Sequence, residues 1–182
     1  MGALDGVRDA IPDAARDLKL NLQAVLSEGT LPVPQRWGVA VATAVASRNA
    51  RLRDAVIADA RAAAGDAVVE DAIAAAALMG MNNVYYRFRH LIEKPVYAEK
   101  PARLRMNRLA KPATSKLDME LYSLAASAIN GCCTCMQSHE RVVLAGGLTE
   151  DQVHDAIRIA AAVHGAAVAL DCAGSDAIAA AA

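Results

Sequence analysis

Apolar residues recur along most of this chain at three- and four-residue intervals, the spacing that gathers side chains on one face of an α-helix. Prolines and glycines interrupt the pattern where helices are expected to begin and end. The pattern predicts helices between Pro12 and Gly29, from Pro32 through Val45, and over residues 50–64, 67–90, 115–130, 132–145 and 149–170. No segment alternates apolar and polar residues as a half-buried strand does. The sequence therefore predicts an all-α fold.

Two local signals refine this prediction. Thr149 and Gln152 have the spacing of a capping box, in which each side chain bonds the other residue's backbone N–H, so a helix should begin at this point. Residues 93–112 hold three prolines and several basic side chains, which predicts a connector with one short helix.

The chain also resembles itself when it is shifted by 84 positions. The shift superposes Asp155-Ala156-Ile157 on Asp71-Ala72-Ile73 without a gap and predicted helices on predicted helices. We therefore expect one domain over residues 1–182, built from related halves at about 34–93 and 115–175 with a pseudo-two-fold relation. The alternative is chance matching between Ala-rich helices, because 43 of the 182 residues are alanine.

Composition and charge exclude several classes of protein. The chain is 55% hydrophobic and carries 19 basic and 20 acidic side chains, without the Lys/Arg tract that a nucleic-acid-binding protein has. Its longest apolar run, residues 72–79, is shorter than a membrane span, which needs roughly 20 residues. The first residues do not have the basic and apolar regions of a signal peptide. We therefore expect a cytoplasmic location, where thiols stay reduced.

The residues with the clearest chemistry follow Gly131, where one helix should end and the next begin. Cys132 and Cys135 form a C-x-x-C pair whose sulfurs can lie on one helix face. The first thiol is expected in the exposed opening turn, where backbone N–H groups and the helix dipole lower a cysteine pKa. His139 follows Cys135 by one helical turn and can take up its proton. Either Glu120 or Glu140 could orient the imidazole, and we favour Glu120 because Glu140 points about 100° away around the helix.

Other interpretations of these residue types remain open. A C-x-x-C pair can hold zinc, but zinc needs four ligands and no second C-x-x-C is present. Cys133 is expected to be a buried or bystander thiol, and Cys172 to be a packing residue of an Ala-rich helix. His164 is expected to be a hydrogen-bonded histidine in the interior or at an interface. His90 and His154 are expected on solvated stretches.

The spacing of these residues resembles that of the alkyl hydroperoxide reductase D (AhpD) family, in the carboxymuconolactone decarboxylase-like superfamily. The family pattern of Glu, eleven residues, Cys, two residues, Cys, three residues and His is matched by Glu120, Cys132, Cys135 and His139. Further similar segments extend the resemblance over nearly the whole chain: 18–22, 80–87, 104–107 and 127–132. Relatives often carry Ser-His between the two cysteines, whereas this chain has Cys133-Thr134.

This resemblance implies an all-helical subunit, assembled as a homotrimer, that reduces hydroperoxides with electrons from dihydrolipoamide. The donor would be the lipoyl group of a lipoylated acyltransferase, and no haem, flavin or metal would be needed. Cys135 would become the sulfenic acid, Cys132 would resolve it as a disulfide, and Glu120 and His139 would relay protons. Electrons could also pass to the peroxiredoxin AhpC.

The sequence therefore predicts a lipoyl-dependent peroxidase. One alternative is a disulfide reductase that serves a peroxiredoxin. Another is a non-catalytic redox sensor in which Cys132 and Cys135 switch an interface. A lactone decarboxylase is disfavoured, because that chemistry does not need a paired thiol.

Overall fold

The computed structural model describes the backbone of residues 2–179 and the side chains of residues 2–173. No β-strand occurs in this part of the chain, which confirms the predicted all-α fold. It contains nine α-helices: α1 (Ala3–Asp9), α2 (Arg16–Ser27), α3 (Val33–Ser47), α4 (Ala50–Ala64), α5 (Asp66–Ile92), α6 (Pro95–Glu99), α7 (Lys116–Ile129), α8 (Cys133–Ala145) and α9 (Glu150–Ala179). Single 3₁₀ turns at Asp13–Ala15 and Asn107–Ala110 complete the helical structure.

Helix boundaries follow the local sequence chemistry closely. Asn49 caps α4 by accepting the Leu52 N–H at 2.8 Å. The Thr149 hydroxyl accepts the Gln152 N–H at 3.2 Å, as the capping box predicts. The sequence pattern missed α1, a seven-residue helix too short for a clear periodicity. It also predicted one short helix in the connector, which contains α6 and a separate 3₁₀ turn.

The core forms around α3 and α7, which pack against each other. Helix α3 also contacts α4, α5 and α9, and α7 also contacts α5, α8 and α9. Alanines occupy much of this interface, so the helix backbones approach closely. Gly38 on α3 lies directly against the ring of Tyr122 on α7, and Tyr122 is completely buried.

Helix α9 is the most apolar long element. Its stretch Glu150–Ala173 has the length and mean hydropathy, 1.5, of a membrane-crossing helix. Half of this stretch is buried, and α9 packs against α2, α3 and α7. Such burial is typical of a core helix, which can have the same length and hydropathy as a membrane-crossing helix.

The start positions of the helices can be compared with the shift of 84 positions. Helices α3, α4 and α5 begin at residues 33, 50 and 66, and α7, α8 and α9 begin at residues 116, 133 and 150. The contacts repeat as well, because α4 packs against α9 and α8 packs against α5. The exact boundaries of the two halves remain a prediction.

A buried carboxylate fixes residues 108–114, where the connector leads into α7. Asp71 on α5 has no exposed surface and accepts hydrogen bonds from Arg108 Nη2 at 2.7 Å, from the Ala113 N–H at 2.9 Å, and from the N–H and hydroxyl of Thr114 at 2.7 and 2.8 Å. Four donors compensate the loss of hydration that burial imposes on the charge. Asp71 therefore holds the connector beside α5.

Candidate active site

The two cysteines of the C-x-x-C pair lie where α8 begins. Gly131 ends the preceding turn with a φ of +66°, a left-handed conformation that favours glycine. Cys132 is the N-cap residue, its N–H bonds the Ser127 carbonyl oxygen at 3.1 Å, and its carbonyl oxygen accepts the Met136 N–H at 2.9 Å. Both thiols are free and buried: Cys132 has no exposed surface and Cys135 is 7% exposed.

The expectation of an exposed first thiol is therefore wrong. Helix α8 packs against α5 and α7. The Cys132 N–H also donates a hydrogen bond to the Ser127 carbonyl oxygen, which holds the start of α8 against α7. This burial also determines the acidity of the second thiol. Burial raises the pKa of the Cys135 thiol, the neighbouring Cys132 thiol raises it further, and the Asn83 side chain opposes both effects.

The structure brings His139 and Glu120 together, as the sequence predicts. His139 Nδ1 lies 2.6 Å from Glu120 Oε2, and the two side chains are 14% and 31% exposed. Helix α8 carries the histidine and α7 carries the glutamate, and the turn between them folds α8 back along α7. Because the carboxylate holds Nδ1, Nε2 is the ring nitrogen that remains for proton exchange.

Cys135 and His139 line one pocket of about 340 Å³. One wall is apolar and comes from α5 and the connector, whereas the opposite wall is the first two turns of α8. The lining residues are Met79, Asn82, Tyr86, Met106, Leu109, Thr134, Cys135, Ser138 and His139. The arrangement gives an apolar ligand access to a thiol and an imidazole at the same time.

Two asparagines of α5, Asn82 and Asn83, also belong to the site, and the sequence analysis assigned no role to them. Asn83 is 1% exposed; its Nδ2 donates to Ser127 Oγ at 2.9 Å and its Oδ1 accepts from Asn130 Nδ2 at 2.9 Å. These bonds fix the turn that precedes Cys132. Adjacent asparagines shortly after the apolar run at residues 72–79 were the available signal, because asparagine is a poor helix former.

The remaining predicted residues lie away from this pocket. Cys133 and Cys172 are both exposed, so the expected packing role of Cys172 is wrong. His164 is exposed and bonds Ser47 Oγ at 3.1 Å, so it is hydrogen-bonded but not interior. His90 and His154 are exposed, as expected. Among residues 2–173, no group of three or more Cys, His, Asp or Glu side chains converges as a metal site would require.

Comparison with known proteins agrees with this arrangement. The family model described as "Carboxymuconolactone decarboxylase family" matches residues 95–180. Alkyl hydroperoxide reductase AhpD of Anaeromyxobacter dehalogenans (strain 2CP-C) is 68% identical over 96% of this chain and 94% of its own length. The AhpD of Gluconacetobacter diazotrophicus is 48% identical over 93% of each chain, and that of Brucella abortus (strain 2308) is 44% identical over 96% of this chain and 99% of its own. This extent of identity shows that the chain belongs to the alkyl hydroperoxide reductase AhpD family and is an oxidoreductase.

Proposed function

We propose that the chain is a lipoyl-dependent peroxidase in which Cys135 attacks a hydroperoxide and Cys132 resolves the product. The observation that carries this proposal is the shared pocket of Cys135 and His139, together with the 2.6 Å bond between His139 and Glu120. A nucleophile, a base and a group that orients the base are thus available at one site. The peroxide-related names of the relatives support the same class of substrate.

The first step needs a base because Cys135 is buried. Burial raises the pKa of this thiol, so little thiolate forms spontaneously at neutral pH. His139 Nε2 takes the thiol proton, and Glu120 stabilises the resulting imidazolium through Nδ1. The thiolate then attacks the peroxide. An S–O bond forms, the O–O bond breaks, and the departing alkoxide receives the proton from His139, which yields an alcohol and a Cys135 sulfenic acid.

The second step uses the other thiol of the pair. Cys132 attacks the sulfenic sulfur, an S–S bond forms, and the hydroxyl leaves with the Cys132 proton as water. Dihydrolipoamide then returns two electrons by thiol–disulfide exchange and becomes the cyclic disulfide. We infer that it attacks the Cys135 sulfur, because Cys135 lines the pocket whereas Cys132 has no exposed surface.

Because Cys132 and Cys135 are buried, a reductant with a narrow, extended thiol-bearing group is favoured. A dithiol on a long lipoyl arm can enter a pocket of about 340 Å³, whereas a cysteine on a folded peroxiredoxin such as AhpC would have to be carried in on a loop. We therefore propose the lipoyl group of a lipoylated acyltransferase as the electron donor and AhpC as a further partner. A disulfide reductase for AhpC and a redox sensor are the alternatives.

A coupled assay separates these functions. NADH oxidation is followed after hydroperoxide is added to the chain, lipoamide and lipoamide dehydrogenase. Sustained turnover supports the peroxidase, turnover only with added AhpC supports the disulfide reductase, and one equivalent of thiol loss without turnover supports the sensor.

Cys135→Ser and Cys132→Ser should each abolish turnover, because one lacks the nucleophile and the other the resolving thiol. Cys172→Ser is the matched control and should retain it.

We further propose that the chain assembles as a homotrimer. The C-terminal half of α5 and the start of α6 expose large apolar side chains, which a monomer would leave in water. These side chains are Val84, Phe88, Leu91, Ile92 and Val96, which we call the α5–α6 apolar band. The number of three subunits comes from the family resemblance.

A further inference from the structure

One residue that lines the pocket carries a buried polar atom without a partner in the described chain. Asn82 on α5 is 6% exposed, and its Nδ2 donates a hydrogen bond to Met106 Sδ. Its Oδ1 is buried and accepts no hydrogen bond from residues 2–173. Within the same residues two other buried side-chain atoms share this property, on Gln35 and Ser123, but neither residue lines the pocket that Cys135 and His139 share.

The orientation of the Asn82 amide follows from its neighbour. If the amide were turned over, its carbonyl oxygen would face the Met106 sulfur, and two acceptors would repel each other. The amide nitrogen Nδ2 therefore faces the Met106 sulfur, and Oδ1 is the atom on the other side of the amide. A buried acceptor without a partner costs free energy, and native proteins keep such groups mainly where function uses them.

We propose that Asn82 Oδ1 accepts a hydrogen bond from the O–H of a bound hydroperoxide and thereby orients the peroxide towards Cys135. This inference rests on the proposed peroxidase function and adds a substrate-binding residue to it. A hydroperoxide has one donor, the hydroxyl hydrogen, and that hydrogen matches the unpartnered acceptor of Asn82, a residue that lines the pocket. The alkyl group would lie against the apolar wall formed by Met79, Tyr86, Met106 and Leu109.

The bond to Asn82 would persist through the reaction. The thiolate attacks the oxygen that carries the hydrogen, so the S–O bond forms at this oxygen and the O–O bond breaks on its far side. The alkoxide leaves towards the proton on His139. The hydroxyl hydrogen stays on its oxygen and becomes the O–H of the sulfenic acid. Asn82 would therefore hold the same hydrogen in the substrate and in the product.

The test compares two reactions of Cys135. Sulfenic acid formation with cumene hydroperoxide needs an oriented O–H, whereas alkylation by N-ethylmaleimide offers no hydrogen-bond donor. Asn82→Leu removes the acceptor at similar volume. We expect the second-order rate with cumene hydroperoxide to fall about tenfold, the effect of one lost hydrogen bond, and the alkylation rate to change less than twofold. Gln35→Leu removes the corresponding unpartnered oxygen outside the pocket and should leave both rates unchanged.

A second measurement uses the wild-type chain and keeps the inference testable if Asn82→Leu does not fold. The alcohol 2-methyl-2-phenylpropan-1-ol, in which a CH2 group replaces the alkyl-bearing peroxide oxygen and the terminal hydroxyl is kept, should inhibit more strongly than its methyl ether, which has no donor. Equal inhibition by both compounds would overturn the assignment. So would a folded Asn82→Leu variant that is oxidised at the wild-type rate, or one whose oxidation and alkylation fall in parallel. If hydroperoxides do not oxidise wild-type Cys135 at all, the peroxidase proposal itself fails.

Discussion

Asp71 and Asp155 lie 84 positions apart, and each accepts the same pair of hydrogen bonds from a threonine. Asp71 on α5 accepts the N–H and the hydroxyl of Thr114 at 2.7 and 2.8 Å. Asp155 on α9 accepts the N–H and the hydroxyl of Thr30 at the same two distances. Thr30 and Thr114 are also 84 positions apart, and each lies just before the first helix of its half. Asp71 thus binds the segment that precedes α7, and Asp155 binds the segment that precedes α3.

We propose that this reciprocity reflects the expected two-fold relation between the halves. Chance matching between Ala-rich helices accounts for repeated alanines, but it does not account for a carboxylate and a threonine that exchange partners across the molecule. The arginines that pair with the two aspartates do not follow the repeat, because Arg108 belongs to the connector and Arg158 lies on α9 beside Asp155. The repeated unit is therefore the pair of hydrogen bonds that a threonine donates to an aspartate.

The first prediction concerns the stability that Asp71 provides. Asp71→Asn removes the charge that Arg108 and the backbone donors surround, and it leaves buried donors with poorer acceptors. We expect the free energy of unfolding at pH 7 to fall by about 2–4 kcal/mol, measured by urea denaturation. Asp66→Asn is the control, because its carboxylate is 80% exposed. The pairing of Asp66 with Arg61 should contribute less than about 1 kcal/mol.

The same variant should show a characteristic pH dependence. Burial raises the pKa of Asp71, but the hydrogen bonds from Ala113 and Thr114 and the charge of Arg108 lower it more in sum, so it lies below its ordinary value. A carboxyl group with a lowered folded-state pKa stabilises the fold above its unfolded pKa, about 3.9, and this contribution is lost as the pH falls through the folded-state pKa. The stability difference between wild type and Asp71→Asn should therefore shrink below about pH 4. A difference that stays constant from pH 7 to pH 3 would contradict this account.

The second prediction concerns close packing between α3 and α7. A methyl group at Gly38 would overlap the buried Tyr122 ring. Alanine is the better helix former by about 1 kcal/mol, but overpacking a well-packed core costs about 1–3 kcal/mol or more. Gly38→Ala should therefore lower the thermal midpoint. Gly80→Ala is the matched control, because nothing lies within 4 Å of a methyl group there, and it should raise the midpoint slightly.

The helices could be predicted from the sequence because their signals are local. The range predicted for α4, residues 50–64, agrees with the structure, since Asn49 caps one end and Gly65, with a φ of +87°, ends the other. The threonine contacts of Asp71 and Asp155 could not be predicted in this way. They join residues 43 and 125 positions apart, and only packing decides which carboxylate reaches which turn.

In the candidate site, too, local spacing could be predicted from the sequence and packing could not. Spacing within one helix relates Cys135 to His139, and the preference for Glu120 over Glu140 needed only the helical angle between neighbours. The burial of Cys132 depends on how α8 packs against α5, and no local pattern encodes that contact. The unpartnered Oδ1 of Asn82 could not be predicted for the same reason, because the partner of Asn82 Nδ2 is Met106, which lies in the connector.

The third prediction concerns self-association. If the α5–α6 apolar band forms the contact between subunits, light scattering should give three times the 19.0 kDa mass of one chain. Leu91→Glu puts a charge on a side chain that is 70% exposed within the band, and it should lower the measured mass. Leu20→Glu is the control, because Leu20 is 62% exposed on α2, outside the band, and should not change it. A wild-type mass equal to that of one chain would rule out the assembly.

The fourth prediction concerns the proton relay. His139→Gln should lower lipoamide-dependent turnover roughly 10²- to 10⁴-fold at pH 7, the usual contribution of a general base. Burial raises the pKa of Cys135. The wild-type alkylation rate with iodoacetamide should therefore keep rising above the pKa of a free thiol, about 8.5. The defect in turnover should shrink over the same range, since hydroxide then removes the proton that the histidine removed.

Glu120 can be tested against a neighbour of the same chemistry. Glu120→Gln removes the negative charge that accepts the hydrogen bond of His139 Nδ1 at 2.6 Å, so it should slow turnover and iodoacetamide alkylation of Cys135 together at neutral pH while the thermal midpoint stays close to that of wild type. Glu140→Gln removes a carboxylate that is next to His139 in sequence, whereas the hydrogen bond of His139 Nδ1 goes to Glu120, so both rates should stay unchanged. Equal effects of the two substitutions would mean that general electrostatics, and not the oriented pair, assists the thiol. An unchanged alkylation profile in Glu120→Gln would leave His139 to act without an orienting partner.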